Sequence, residues 1–201
     1  MVRTWSSAAV VIGLTMVGGT AVAHAQISSP IGVGVVGGTS SPTGSLSDIA
    51  KSGWHAGAFV ELKLPVIPVG FRLEGAWHQF GDKPFDSSGG TTGARIADVT
   101  LNATYDILPV PIIKPYLIGG VGEYSARLTS VSQVVIVTPG GSGGVTDVRT
   151  TATETKFGVN GGAGVRLQLG GFAAFVEARW HDIFTSGRNV QMVPVSVGLR
   201  F

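Results

Sequence analysis

The sequence predicts an all-β protein, an eight-stranded antiparallel up-and-down transmembrane β-barrel that follows a cleaved N-terminal signal peptide. Three observations predict it. Apolar and polar residues alternate with a period of two along eight segments, as in strands with one apolar face. The connections between those segments are short and long in turn, the pattern of barrels with short periplasmic turns and longer extracellular loops. Aromatic residues gather toward both ends of the segments on the apolar side, where lipid headgroups accommodate their amphipathic rings.

The N-terminus has the three parts of a secretory signal: Arg3, an apolar stretch from Ala8 to Val17, and the small-x-small site Ala23-His24-Ala25. Residues 1–25 are therefore assigned to the signal peptide and residues 26–201 to a single barrel domain. No later run of about 18 uninterrupted apolar residues exists, so the sequence offers no helical span.

The strands fall at Ile31–Gly38, Trp54–Leu64, Phe71–Phe80, Arg95–Ile107, Tyr116–Arg127, Lys156–Leu169, Phe172–Asp182 and Met192–Phe201. Most are near the 9–11 residues, roughly, that a tilted strand needs to cross hydrocarbon. Residues 65–70, 108–114 and 170–171 form the short turns, and 39–53, 81–94, 128–155 and 183–191 the longer loops. Within the third loop, residues 134–137 are apolar and a Gly-rich stretch follows, the signature of a hairpin projecting past the membrane. Pro194 lacks an N–H, which predicts a bulge or an early end to pairing in the last strand.

In the second strand Trp54, Ala56, Ala58, Val60, Leu62 and Leu64 share one side, opposite His55, Gly57, Phe59, Glu61 and Lys63. The fourth and sixth strands divide in the same way. A soluble ligand-carrying barrel alternates too, with its apolar face inward, so alternation alone leaves that class open. The aromatics favour a membrane. One girdle comprises Trp54, Trp77, Tyr124, Phe157 and Trp180, and the other Phe71, Tyr105, Tyr116, Phe172 and Phe201.

The chain resembles the small eight-stranded outer-membrane barrels of Gram-negative bacteria, the OmpA/OmpX-like family. The resemblance runs from about Ile31 to Phe201. It is clearest in Phe175–His181 with Val193–Phe201, which are similar to the last two strands of such proteins, and in Pro115–Gly122, similar to a mid-barrel strand. It implies an integral outer-membrane protein. It also implies that Val193, Val195, Val197, Leu199 and Phe201 form the insertion signal read by the barrel-insertion machinery during biogenesis. Outer-membrane lipid is then the solvent of the apolar face.

Charge and composition narrow the function. The formal net charge is +2 with no basic run, which argues against a nucleic-acid partner. Without cysteine there are no disulfides, thiolate metal sites or Cys nucleophiles. The inward positions hold both signs of charge: Glu61, Lys63, Arg72, Glu74, Asp98, Asp106, Glu123, Lys156, Arg166, Glu177, Arg179 and Arg200. An eight-stranded interior is just wide enough for side chains to fill, so these charges are expected to pair as a lumenal plug. Inward glycines at 32, 34, 57, 162 and 164 would leave room for a narrow pore instead.

His55, His78 and His181 face inward near the mouth and could ligate Zn²⁺ or Cu²⁺, though hydrated polar positions explain them as well. Some barrels of this kind are lipid-modifying enzymes, which need a lipid-facing Ser/His/acid set at the rim. The histidines here face the lumen, and no serine of suitable parity neighbours Trp180–Asp182. The expectation is a non-enzymatic barrel without a cofactor, its lumen closed by ion pairs. The loops at 39–53, 81–94, 128–155 and 183–191 would serve envelope integrity, adhesion or an extracellular partner. The alternative is a small porin-like channel for small solutes.

Overall fold

A computed structural model describes residues 30–64, 67–84, 90–108, 110–137, 143–185, 187 and 189–201. The expected signal peptide, residues 1–25, lies outside them. The strands are β1 (Ile31–Gly44), β2 (Ala50–Lys63), β3 (Val69–Pro84), β4 (Thr91–Asp106), β5 (Ile113–Val137), β6 (Gly143–Leu169), β7 (Phe172–Ile183) and β8 (Val190–Arg200). A short 3-10 helix, Ser45–Asp48, joins β1 to β2. Each strand pairs antiparallel with its sequence neighbour, and β8 returns to β1 from Gly34↔Arg200 to Gly44↔Val190. Closure leaves no edge in the spanning band, so backbone polar groups find partners within the sheet.

Most strands run further toward the long-loop end than the alternation indicates. Toward that end polar residues such as Thr39, Ser40 and Ser41 occur on both faces, so the period-two signal fades while pairing continues. Much of what reads as loop at 39–53 and 128–155 is therefore strand. The turn between β6 and β7 is Gly170-Gly171, and Gly170 takes a φ of 68°, a conformation glycine adopts without a Cβ penalty.

The sheet is apolar outside and polar inside. Val35, Leu73, Val99, Leu101, Val121 and Val197 point outward and are 53–61 % exposed, while Glu61, Arg72, Thr100 and Glu177 point inward and are almost wholly buried. That is the reverse of a soluble ligand-carrying barrel, and an exterior of this kind needs lipid around it.

β5 corrects part of the sequence reading. Leu117, Val121 and Glu123 face outward, and Tyr116 and Tyr124 face the lumen with no exposed surface. Neither tyrosine belongs to an aromatic girdle, and Glu123 is not lumenal. Both sides of this strand carry apolar residues, so its parity is ambiguous in sequence. Space inside settles it: a Cβ at Gly164 would lie 2.6 Å from the Tyr116 ring, and one at Gly158 would lie 2.9 Å from the Tyr124 ring. Glycines on β6 make room for tyrosines on β5.

Pro194 produces neither a bulge nor an early stop. It pairs with Ser40 on β1, while the β7–β8 ladder lapses between Ala178↔Val195 and His181↔Met192 and resumes in the same register. One missing donor costs a local gap only. Register shifts occur elsewhere, between Lys51 and Trp54 and between Gln79 and Lys83.

Candidate functional site

The lumen is filled in three storeys. At the short-turn end the Lys63 ammonium donates to Asp106 at 2.6 Å. Arg166 reaches Glu61 at 2.9 Å and Asp106 at 3.4 Å, and Arg200 Nε lies 2.7 Å from Glu61. Arg72, at the centre, donates to Glu177 at 3.0 Å and lies 3.8 Å from Glu61 and 3.7 Å from Glu74. Arg179 bonds Glu74 and, at 2.8 Å, Glu177. The Tyr116 hydroxyl donates to Glu177 at 2.6 Å. The Arg72 guanidinium also sits 4.4 Å from the centre of the Phe59 ring and 5.2 Å from that of Phe175.

These charges come from strands on opposite walls, so the contacts cross the barrel. Buried ions of this kind persist only when each finds partners, because an unpaired one costs several kcal/mol. At two of the inward glycines a side chain takes up the space: a Cβ at Gly32 would fall 2.5 Å from the Arg200 guanidinium, and one at Gly34 2.3 Å from the Phe59 ring.

The second storey gathers the histidines. His55 and His78 stack with centroids 5.1 Å apart, and His181 meets His78 edge-on at 6.3 Å. Protein partners meet every ring nitrogen of His55 and His78 and Nδ1 of His181, while His181 Nε2 is buried without one. Ser40 Oγ lies 3.1 Å from His55 Nδ1 and 2.7 Å from His78 Nδ1, and Ser196 Oγ lies 2.9 Å from His55 Nε2. Asp98 is 2.9 Å from His78 Nε2, and the Tyr124 hydroxyl 3.0 Å from His181 Nδ1. Among the described residues no group of three or more His, Asp or Glu side chains is arranged to hold a metal ion.

Ser40, His78 and Asp98 thus form a lumenal serine–histidine–acid array that the sequence reading, which looks for a serine beside Trp180–Asp182, does not include. Ser40 comes from β1, beyond the segment that alternates clearly. All three side chains are buried, Ser40 completely.

The third storey, at the long-loop end, is apolar. Leu46 on the 3-10 helix turns inward over Ala50, Phe80, Ala94, Ile96, Ile183 and Met192, with Tyr124 beneath. Leu46, within the stretch 39–53 expected as a loop open to an extracellular partner, is itself buried in this cluster. The signal was there in Phe80, Ile96 and Met192, which continue the inward parity of their strands with apolar residues.

The outer surface holds the remaining predicted residues. Trp54, Trp77, Phe157 and Trp180 are outward near the long-loop end, and Phe71, Tyr105, Phe172 and Phe201 near the other. Of the terminal set, Val195, Val197, Leu199 and Phe201 are exposed and Val193 half-buried. Phe201 exchanges backbone hydrogen bonds with Val33 at 2.8 and 3.0 Å, and its ring lies 6.3 Å from that of Phe172. Beyond the barrel, β5 and β6 stay paired as far as Val137↔Gly143. β4 supports β5 only to Val131, and the β6–β7 ladder starts at Gly158, so the hairpin stands as a two-stranded ribbon.

Solved structures share this architecture. Neisserial surface protein A (NspA) matches with a TM-score of 0.61 at 18 % identity, over 86 % of this chain and 96 % of that one. A major outer membrane protein from Thermus thermophilus matches with a TM-score of 0.59 at 10 % identity, over 85 % and 98 %. No curated protein matches this chain by sequence. The family model for the outer membrane protein beta-barrel domain matches residues 12–201, and the chain, apolar outside, polar within and closed by eight strands, belongs to that family of integral outer-membrane barrels.

Proposed function

We propose that this protein is a non-conducting, non-enzymatic outer-membrane scaffold that carries the β5–β6 hairpin outside the cell as its binding arm. The observation that supports closure is the filled lumen: guanidinium–carboxylate contacts span it at mid-height, and Leu46, Phe80, Ile96 and Met192 block the mouth. A solute on the barrel axis would have to displace both. The hairpin supports the second half of the reading, since its ribbon extends six residues past the last β5 position held by β4, or roughly 20 Å at strand rise. Its side chains from Thr146 to Thr155 are exposed where described, rich in threonine and suited to contact another surface.

Conductance tests closure. Protein refolded into a planar bilayer is expected to give no reproducible unitary steps, and steps that recur from one preparation to the next would reject the closed lumen. Attachment tests the arm. Replacing residues 129–153 by a short turn is expected to preserve heat-modifiable gel mobility and abolish attachment of whole cells to surfaces that the parent protein promotes. Undiminished attachment by the shortened protein would remove the hairpin from that role.

A further inference from the structure

The outer face carries a second feature just beyond the aromatic girdle. A polar cleft of about 260 Å³ opens where β3, β4, β5 and β6 curve past the membrane edge, lined by Arg95, Arg127, Arg149, Gln79, Asp82 and Thr151 among others. All three arginines are exposed. Arg95 and Arg127 stand directly opposite one another on β4 and β5, and Arg149 follows on β6, opposite Val131. Like charges opposite each other on one sheet face repel. Among the described residues no carboxylate lies within ion-pair distance of any of the three: Asp82 instead folds over Gly93, where a Cβ would fall 2.3 Å from its Oδ1. The cleft is therefore a concentration of positive charge whose counter-ion does not come from these side chains.

Its height identifies the source of that counter-ion. Trp77 pairs with Ala97, and Arg95 lies two positions further along β4, about 7 Å at strand rise. Trp77 marks the hydrocarbon boundary, so Arg95 and Arg127 stand at headgroup level on the face that touches lipid. Arginine presents a planar fork that matches phosphate oxygens in pairs, and three such forks around one cleft suit a headgroup bearing more than one phosphate.

We propose that the Arg95–Arg127–Arg149 cleft binds the phosphate-bearing headgroup of an outer-leaflet glycolipid, seating the barrel against one fixed lipid. The site is independent of the lumen and shares Arg149 and Thr151 with the base of the hairpin, so it is tested by point substitutions that leave the hairpin in place.

Native mass spectrometry of the full barrel in neutral detergent can test it, with three probes: bisphosphorylated lipid A, the same lipid dephosphorylated, and inorganic pyrophosphate. The parent is expected to retain one phosphorylated lipid tightly and to bind the dephosphorylated lipid and pyrophosphate far more weakly. The R95Q/R127Q/R149Q variant is expected to lose affinity for phosphorylated lipid by about tenfold or more per arginine. R95K/R127K/R149K should recover only part of it, since it restores charge without the paired geometry. Gel mobility before and after boiling confirms that each variant is folded. Equal retention of phosphorylated and dephosphorylated lipid, or undiminished binding by the glutamine variant, would overturn the site. Pyrophosphate binding as tight as that of the lipid would overturn its assignment to the membrane and make it a receptor for soluble polyanions.

Discussion

Glu61 concentrates the logic of the lumen in one carboxylate. It faces Arg166 at 2.9 Å, Arg200 at 2.7 Å and Arg72 at 3.8 Å, and it is fully buried. Replacing Glu61 by Ala leaves three guanidinium groups repelling one another in a low-dielectric space. Loss of one partner from a buried pair costs about 3–5 kcal/mol, so urea unfolding of E61A in lipid vesicles should show a loss of that order. The E61A/R166A double variant should recover part of it, because one uncompensated cation leaves with its partner. A loss below about 1 kcal/mol would mean that water already solvates the network. The inward position of Glu61 was legible from its strand parity alone. Its partners were not, because Arg166 lies 105 residues away and only closure brings it near.

At the scale of elements, legibility depended on whether a strand has a single apolar face. β2, β4 and β6 do within the bilayer, and their inward residues could be read directly. β5 does not: Tyr116 and Ile118 compete with Leu117 and Val121, and the winning parity is set by glycines on a different strand. The same limit hid the apolar cluster at the long-loop end, since Leu46 sits on a helical turn with no periodicity of its own. Pairing differs along β6 as well. From Gly158 to Leu169 it has strands on both sides, whereas from Gly143 to Lys156 its ladder is with β5 alone. Amides of the first stretch should resist hydrogen exchange until the barrel itself opens, and amides of the second on the side away from β5 should exchange orders of magnitude faster. Uniform protection along β6 would indicate that another strand covers the ribbon's open edge in the assembled state.

For the whole molecule the decisive event is closure, and the pairing of β8 with β1 performs it. Every other pair of neighbouring strands is joined by a connection that brings it together, but β1 and β8 are the first and last strands of the barrel and have no such connection between them. Their seam ends in the two hydrogen bonds that Phe201 exchanges with Val33, and the Phe201 ring packs toward Phe172 on the outer rim. Without Phe201 the seam is shorter by one bonded pair at the place where β1 enters the sheet. The remaining pairs, Gly34↔Arg200 to Gly44↔Val190, are enough to hold a barrel that has already closed. The effect should therefore fall on formation rather than on persistence. A chain lacking Phe201 is expected to fold into vesicles several-fold more slowly than the parent, followed as conversion between gel mobilities over time, while the folded fraction unfolds at nearly the parent rate. Phe201→Ala retains the backbone pair and loses the ring, so it separates the two contributions: slow folding in both variants assigns the effect to the aromatic, and slow folding only in the truncation assigns it to the seam. Parent-like folding by the truncated chain would leave the terminal residue without a part in closure.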